Sequence, residues 1–155
     1  MSSKGIVASD FRIHDGLIKE IDGTLRRHDE AEINFEGYYL YPGLVNAHDH
    51  LEMNLYYRFA NPPYRNFTEW AKDIHKPDKP PLSFIEGVKL RDRLLWGGIK
   101  NLISGVTTVI HHNPHYRHFN SLFPVVVFKK YDWAHSVAFG GEQLETLKRK
   151  PDCWF

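Results

Sequence analysis

Cysteine is almost missing: Cys153 stands alone among 155 residues, so no internal disulfide framework holds this chain together. Long apolar runs are missing too. The best candidate, residues 123–128, is interrupted by Pro124, far short of the ~18 apolar residues that a membrane span requires. The amino end, MSSKGIVASDFRIHDG, has no apolar core of signal-peptide length. These absences point to a cytoplasmic chain with no membrane partner. Neither sign of charge dominates, because 20 basic and 19 acidic side chains leave a formal charge of +1 without a long block of either. That balance removes the electrostatic footprint of a nucleic-acid binder. There is also no internal repeat and no low-complexity tract.

What is present suits one domain or slightly more. Hydrophobic residues make up 42% of the chain, and a chain of this length buries roughly 70% of its unfolded surface. Residues 11–14 and 17–21 flank Asp15-Gly16, a dipeptide suited to a tight turn, and predict a β-hairpin. Residues 33–35 and 38–41, separated by Glu36-Gly37, predict two further short strands, so the first 40 residues read as all-β. After Pro42-Gly43, residues 44–47 form an apolar run of the kind buried on both faces. Residues 54–82 are rich in aromatics and prolines, with one short helix at 66–74. Tyr56, Tyr57, Phe59, Tyr64, Phe67 and Trp70 give this excursion the packing capacity of a lid or pocket wall, against the plainer reading of a surface loop.

Ser83 and Glu86 have the spacing of a capping box. Phe84, Val88, Leu95, Ile99 and Leu102 then recur at helical intervals until Gly105, predicting one helix. Gly97-Gly98 inside it costs about 1 kcal/mol per glycine relative to alanine, which close packing against another backbone explains. The β-branched residues 106–110 follow as a strand. Strand, helix and strand make a βαβ unit with parallel strands. Residues 124–128 with 132–139 supply a third strand, with a helix at 124–131 as the competing reading, and residues 142–150 have helical propensity.

Histidine is plentiful, at ten residues, and chance alone supplies about 0.6 pairs at a spacing of two. Position therefore carries the case. In a strand, His48 and His50 project to one face while Asp49 points to the other. They end the first parallel strand, His111 and His112 end the second, and His135 lies in the third apolar run. Ligands of α/β sheets collect at these carboxyl ends. The run HHNPHYRH at 111–118 reads either as a pocket lining or as a solvated loop.

PGLVNAHDHLE at residues 42–52, with SGVTTV at 104–109 leading to His111-His112, resembles the amidohydrolase superfamily, in particular its cytosine deaminase and triazine hydrolase branch. The resemblance covers residues 33–113 best. It implies a small, incomplete β-sandwich over residues 1–41, followed over 42–155 by about the first three strands of a (β/α)8 barrel. It also implies that His48 and His50 bind a catalytic divalent metal, zinc first and iron second, activating water against a carbon-nitrogen bond of a small-molecule substrate. Asp49 and Glu52 are then candidates to orient an imidazole or anchor the loop, with surface placement the alternative for Glu52. His111, His112 and His135 are candidate pocket residues.

In the resembled family, further ligands and a proton-transfer glutamate come from later strands, and this sequence does not contain them. The expectation is a truncated chain, inactive alone, that self-associates through an exposed sheet edge. The rival is a non-catalytic module in which the histidines hold zinc structurally and the aromatic excursion meets a partner.

Overall fold

The computed structural model describes residues 5–23, 25 and 30–131. Two compact units result, Met1–Leu40 and Tyr41–Phe155.

In the first unit, β1 (Asp10–His14) and β2 (Leu17–Asp22) pair antiparallel. Both turn residues take positive φ, 51° at Asp15 and 71° at Gly16, the geometry that matches hairpin twist. Arg12 lies on this ribbon against the carboxylates of Glu20 and Glu30. The second expected strand pair is not formed. Its turn is present, with Gly37 at φ 82° and the Tyr38 N–H donating to the Phe35 carbonyl at 3.0 Å. Yet residues 33–35 and 38–41 are not strands, and Ile33, Phe35, Tyr38, Tyr39 and Leu40 are all exposed. A short run gains strand stability only from a facing ladder and a buried face, and local turn chemistry supplies neither. The all-β reading is thus corrected to one hairpin and a turn among the described residues.

The second unit runs β3 (Leu44–Asp49), a 3-10 turn (Leu51–Met53), α1 (Phe67–Ile74), α2 (Leu82–Glu86), α3 (Leu90–Ile103), β4 (Val106–His111) and β5 (Val126–Val127). The sheet order is β3-β4-β5 and every pairing is parallel. The strand-helix-strand unit read from the sequence is present, and residues 126–127 are strand rather than helix. The expectations for 132–139, for 142–150 and for His135 lie outside the described residues. Mixed α/β structure is what the described residues establish, in sheets of two and three strands.

Two expectations fail here for physical reasons. Leu44 and Val45 of β3 are exposed, because β3 borders the sheet among the described residues and turns only Asn46 and Asp49 toward α3, both bonded to Asn101. The single long helix is two. Residues 87–89 separate α2 from α3, and Pro81 rather than a hydroxyl residue occupies the α2 N-cap, with no side-chain cap bond. The helical stripe of Phe84, Val88, Leu95, Ile99 and Leu102 faces outward, while Arg93, Leu94, Gly97, Gly98 and Asn101 face the sheet.

The glycines decide which face of α3 turns inward. A Cβ on Gly97 would stand 2.3 Å from the Leu51 carbonyl oxygen, and one on Gly98 would stand 2.8 Å from the Phe123 ring. Bare backbone lets α3 approach the 3-10 turn closely. The core of Leu51, Leu94, Val109, Phe119, Val125 and Val127 fills in around that contact. Gly105 ends the helix at φ 81° and accepts from the Leu44 N–H at 2.9 Å, joining helix end to strand start.

Candidate metal centre

β3 and β4 run parallel in register Asp49↔His111, so their carboxyl ends deliver residues 48–50 and 111–113 side by side. The His112 N–H donates to the Asp49 carbonyl at 2.7 Å and locks this junction. His48, His50 and His112 then converge, with one ligand nitrogen of each within 4.8 Å of the others. The rings of His48 and His112 stack at 4.4 Å, and His50 lies 5.4 Å from His48 and 4.9 Å from His112 by ring centroid. Two nitrogens on one ion, each at about 2.1 Å, lie no more than ~4.2 Å apart, so modest side-chain rotation brings this set to ligating distance. Three imidazoles are a donor set that fits zinc and other borderline divalent ions.

Asp49 points into a cage of amides on the same side as Asn46, because the strand register shifts between the two. Its Oδ2 accepts from Asn46 Nδ2 at 3.0 Å and Asn101 Nδ2 at 2.6 Å, and its Oδ1 accepts from Asn54 Nδ2 at 2.8 Å. Asn101 also donates to the Gly97 carbonyl at 2.9 Å. One carboxylate therefore ties β3, the 3-10 turn and α3 together.

Glu52 is not on the surface. It is buried in the 3-10 turn at 7% exposure, with Oε1 accepting from Asn113 Nδ2. His111 is fully buried. Burial pushes its pKa down to about 4, against an opposing pull from Asp49, so it is neutral at pH 7. Its Nδ1 accepts from the Leu51 N–H at 3.4 Å, which leaves the proton on Nε2. That nitrogen lies 3.7 Å from Glu52 Oε2, beyond hydrogen-bond distance.

Of the HHNPHYRH run, His112 joins the imidazole cluster and His111 joins the core, while the His115 ring packs edge-on against Phe119 at 5.2 Å. The aromatic excursion pins itself down: Tyr56 donates to Glu86, and Tyr64 donates to Asp73. Burial, then the Glu86 bond, raises the Tyr56 hydroxyl well above the ordinary phenol range. An open cleft of about 210 Å³ is lined by Phe59, Asp73, Ile74 and Leu82 among others, and by none of the three clustered histidines.

The asparagines at 46, 54, 101 and 113 went unread in the sequence. Two of them carried a signal: asparagine is disfavoured within strands, as at 46, and is out of place on the inward face of a glycine-bearing helix, as at 101.

No family model matches the chain, and no solved structure matches it. Among curated proteins, a 5-methylthioadenosine/S-adenosylhomocysteine deaminase from Pyrococcus furiosus is 32% identical over 109 residues, covering 68% of this chain. The aligned segment spans 24% of that relative's length, and the likeness establishes a distant relationship to the deaminase.

Proposed function

We propose that this chain carries the first metal-binding portion of an amidohydrolase-type enzyme that hydrolyses a non-peptide carbon-nitrogen bond of a small molecule. The observation behind the reading is the HxH at the end of a parallel strand, joined by His112, in a chain related to a deaminase. His48, His50 and His112 would hold the ion. A divalent ion in such a site supplies a water of lowered pKa. The chain's own residues do the positioning: Asp49 fixes the strand ends from behind, and Glu52 with Asn113 borders the cluster on the His50 side.

The structural-zinc module is the rival, and the core separates the two. Leu51, Leu94 and Val109 belong to a buried core that includes none of the three clustered imidazoles, so the fold should survive loss of metal. We expect one zinc per chain by elemental analysis, lost in His48→Ala, with circular dichroism unchanged after chelation. Unfolding on chelation would favour the structural module instead. The reaction class is tested as zinc-dependent ammonia release from 5-methylthioadenosine or S-adenosylhomocysteine: none is expected from this chain alone, and release abolished in His48→Ala would overturn that expectation.

A further inference from the structure

Between the 3-10 turn and α2 the chain makes a long loop that has no share in the core. None of residues 53–81 is buried, and α1, which lies inside the loop, has no buried residue along its length. Both ends of the loop are nonetheless fixed. At the entry, Asn54 donates to Asp49 Oδ1 at 2.8 Å while its carbonyl accepts from Lys100 Nζ at 3.3 Å. At the return, Leu82 is buried. The loop departs four residues after His50, from the strand end that carries the imidazole cluster.

Polar side chains supply the order that burial does not. Inside the loop, Tyr64 donates to Asp73 and accepts from the Asn61 N–H at 2.6 Å, and Lys76 donates to the same carboxylate at 2.6 Å. Asn66 caps α1 by accepting from the N–H groups of Thr68 and Glu69. Across the neck of the loop, Tyr56 donates to Glu86 Oε1, 30 residues further on. Arg93 of α3 pairs with the same oxygen at 2.9 Å. Arg93 is buried, and its Nε has no hydrogen-bond partner among the described residues. Glu86 is thus the carboxylate paired with a buried cation, and that pairing fixes it at the neck.

We propose that residues 54–82 form a lid that opens as one unit, with Tyr56, Glu86 and Arg93 as the latch at its neck. Segments with few buried apolar contacts are the ones that open at low cost. A helix of eight residues with none buried does not persist alone, since isolated helices shorter than about 12 residues are marginal in water. α1 is therefore ordered only while the loop is closed. The latch is divided between two parts: Arg93 fixes Glu86 to the body that stays, and Tyr56 belongs to the part that leaves. Breaking the Tyr56 bond frees the loop, whereas removing Glu86 also leaves a buried cation unpaired. None of the three residues belongs to the imidazole cluster, so the latch does not depend on the metal-site reading.

The test is hydrogen–deuterium exchange read by mass spectrometry on the 155-residue protein, for the parent, Tyr56→Phe, Glu86→Ala and the double variant. Thermal unfolding is recorded alongside. Amides bonded within the loop, those of Trp70 and His75 among them, report opening of the lid, and peptides over 90–111 report α3 and β4. Tyr56→Phe should speed exchange over 55–81 about tenfold, the worth of one hydrogen bond to a charged acceptor, and leave 90–111 as in the parent. Glu86→Ala should speed both segments. The double variant should exchange over 55–81 no faster than Glu86→Ala alone, because Tyr56 acts through Glu86. Unchanged exchange over 55–81 in Tyr56→Phe would overturn the latch. Equal acceleration of both segments by Tyr56→Phe would overturn the lid, since the bond would then hold the whole unit and not a part that opens by itself. Tyr56→Phe keeps the ring and removes one hydroxyl, so the comparison with the parent stands even where Glu86→Ala does not fold.

Discussion

At the scale of single residues, the position that most constrains the site is one with no side chain. Gly97 allows the α3 backbone to meet the carbonyl of Leu51, the residue directly after His50, and a Cβ there would stand 2.3 Å from that oxygen. The obstacle is backbone, so it cannot swing aside as a flexible side chain would. Gly97→Ala should therefore destabilise by about 1–3 kcal/mol, the usual cost of overpacking, despite alanine's better helix propensity. Equilibrium urea unfolding measures this directly. Unchanged or raised stability would show that α3 and the 3-10 turn do not touch as closely as the structure has them. Val88 is a useful contrast. It is exposed, in the break between α2 and α3, and Val88→Ala should shift the unfolding midpoint little.

At the scale of elements, the strand ends are joined by a polar cluster that hydrophobic patterning does not reveal. Asn101 of α3 donates to Asp49 of β3 at 2.6 Å and to the Gly97 carbonyl at 2.9 Å. Replacing it with alanine leaves a part-buried carboxylate short of one donor, at a cost of about 1–3 kcal/mol. Asn101→Ala should lower the urea midpoint by that amount, and Asn101→Asp by more, because it sets two carboxylates against each other. Equal effects of the two would argue against a direct bond to Asp49. The same elements show what the sequence could and could not tell. Asp15-Gly16 and the βαβ order were legible because each depends on local turn chemistry or on strands next to one another in the chain. So was the placement of His48 and His50 at the carboxyl end of the first parallel strand, which follows from the order of elements along the chain. The recurrence of Leu95, Ile99 and Leu102 gave a helix, and in the structure this stripe faces outward. Periodicity marks a helical face, but the close approach at Gly97 and Gly98 decides which face turns inward. Glu52 and His112 owe their places to partners about 60 residues away, Asn113 and His50 respectively, and no local pattern encodes such a pairing.

At the scale of the whole molecule, much apolar surface faces solvent. On α3, Trp96, Leu102 and Ile103 are exposed, and on the sheet so are Leu44, Val45 and Val126. β3 lies at the border of its sheet, with no strand paired on its outer side among the described residues. A bare strand edge beside apolar side chains is a template for pairing with another chain. We expect the 155-residue protein to associate, with a weight-average mass in sedimentation equilibrium that rises with protein concentration. If the β3 border carries that association, Val45→Lys should weaken it, because a charged side chain at an edge strand must be desolvated for a second strand to dock. Trp96→Glu on α3 separates the alternatives: association relieved by Trp96→Glu and untouched by Val45→Lys would assign it to the helix face. A monomer of constant mass across the concentration range would show that neither surface drives assembly, and that the exposed residues are tolerated by the folded chain as it stands.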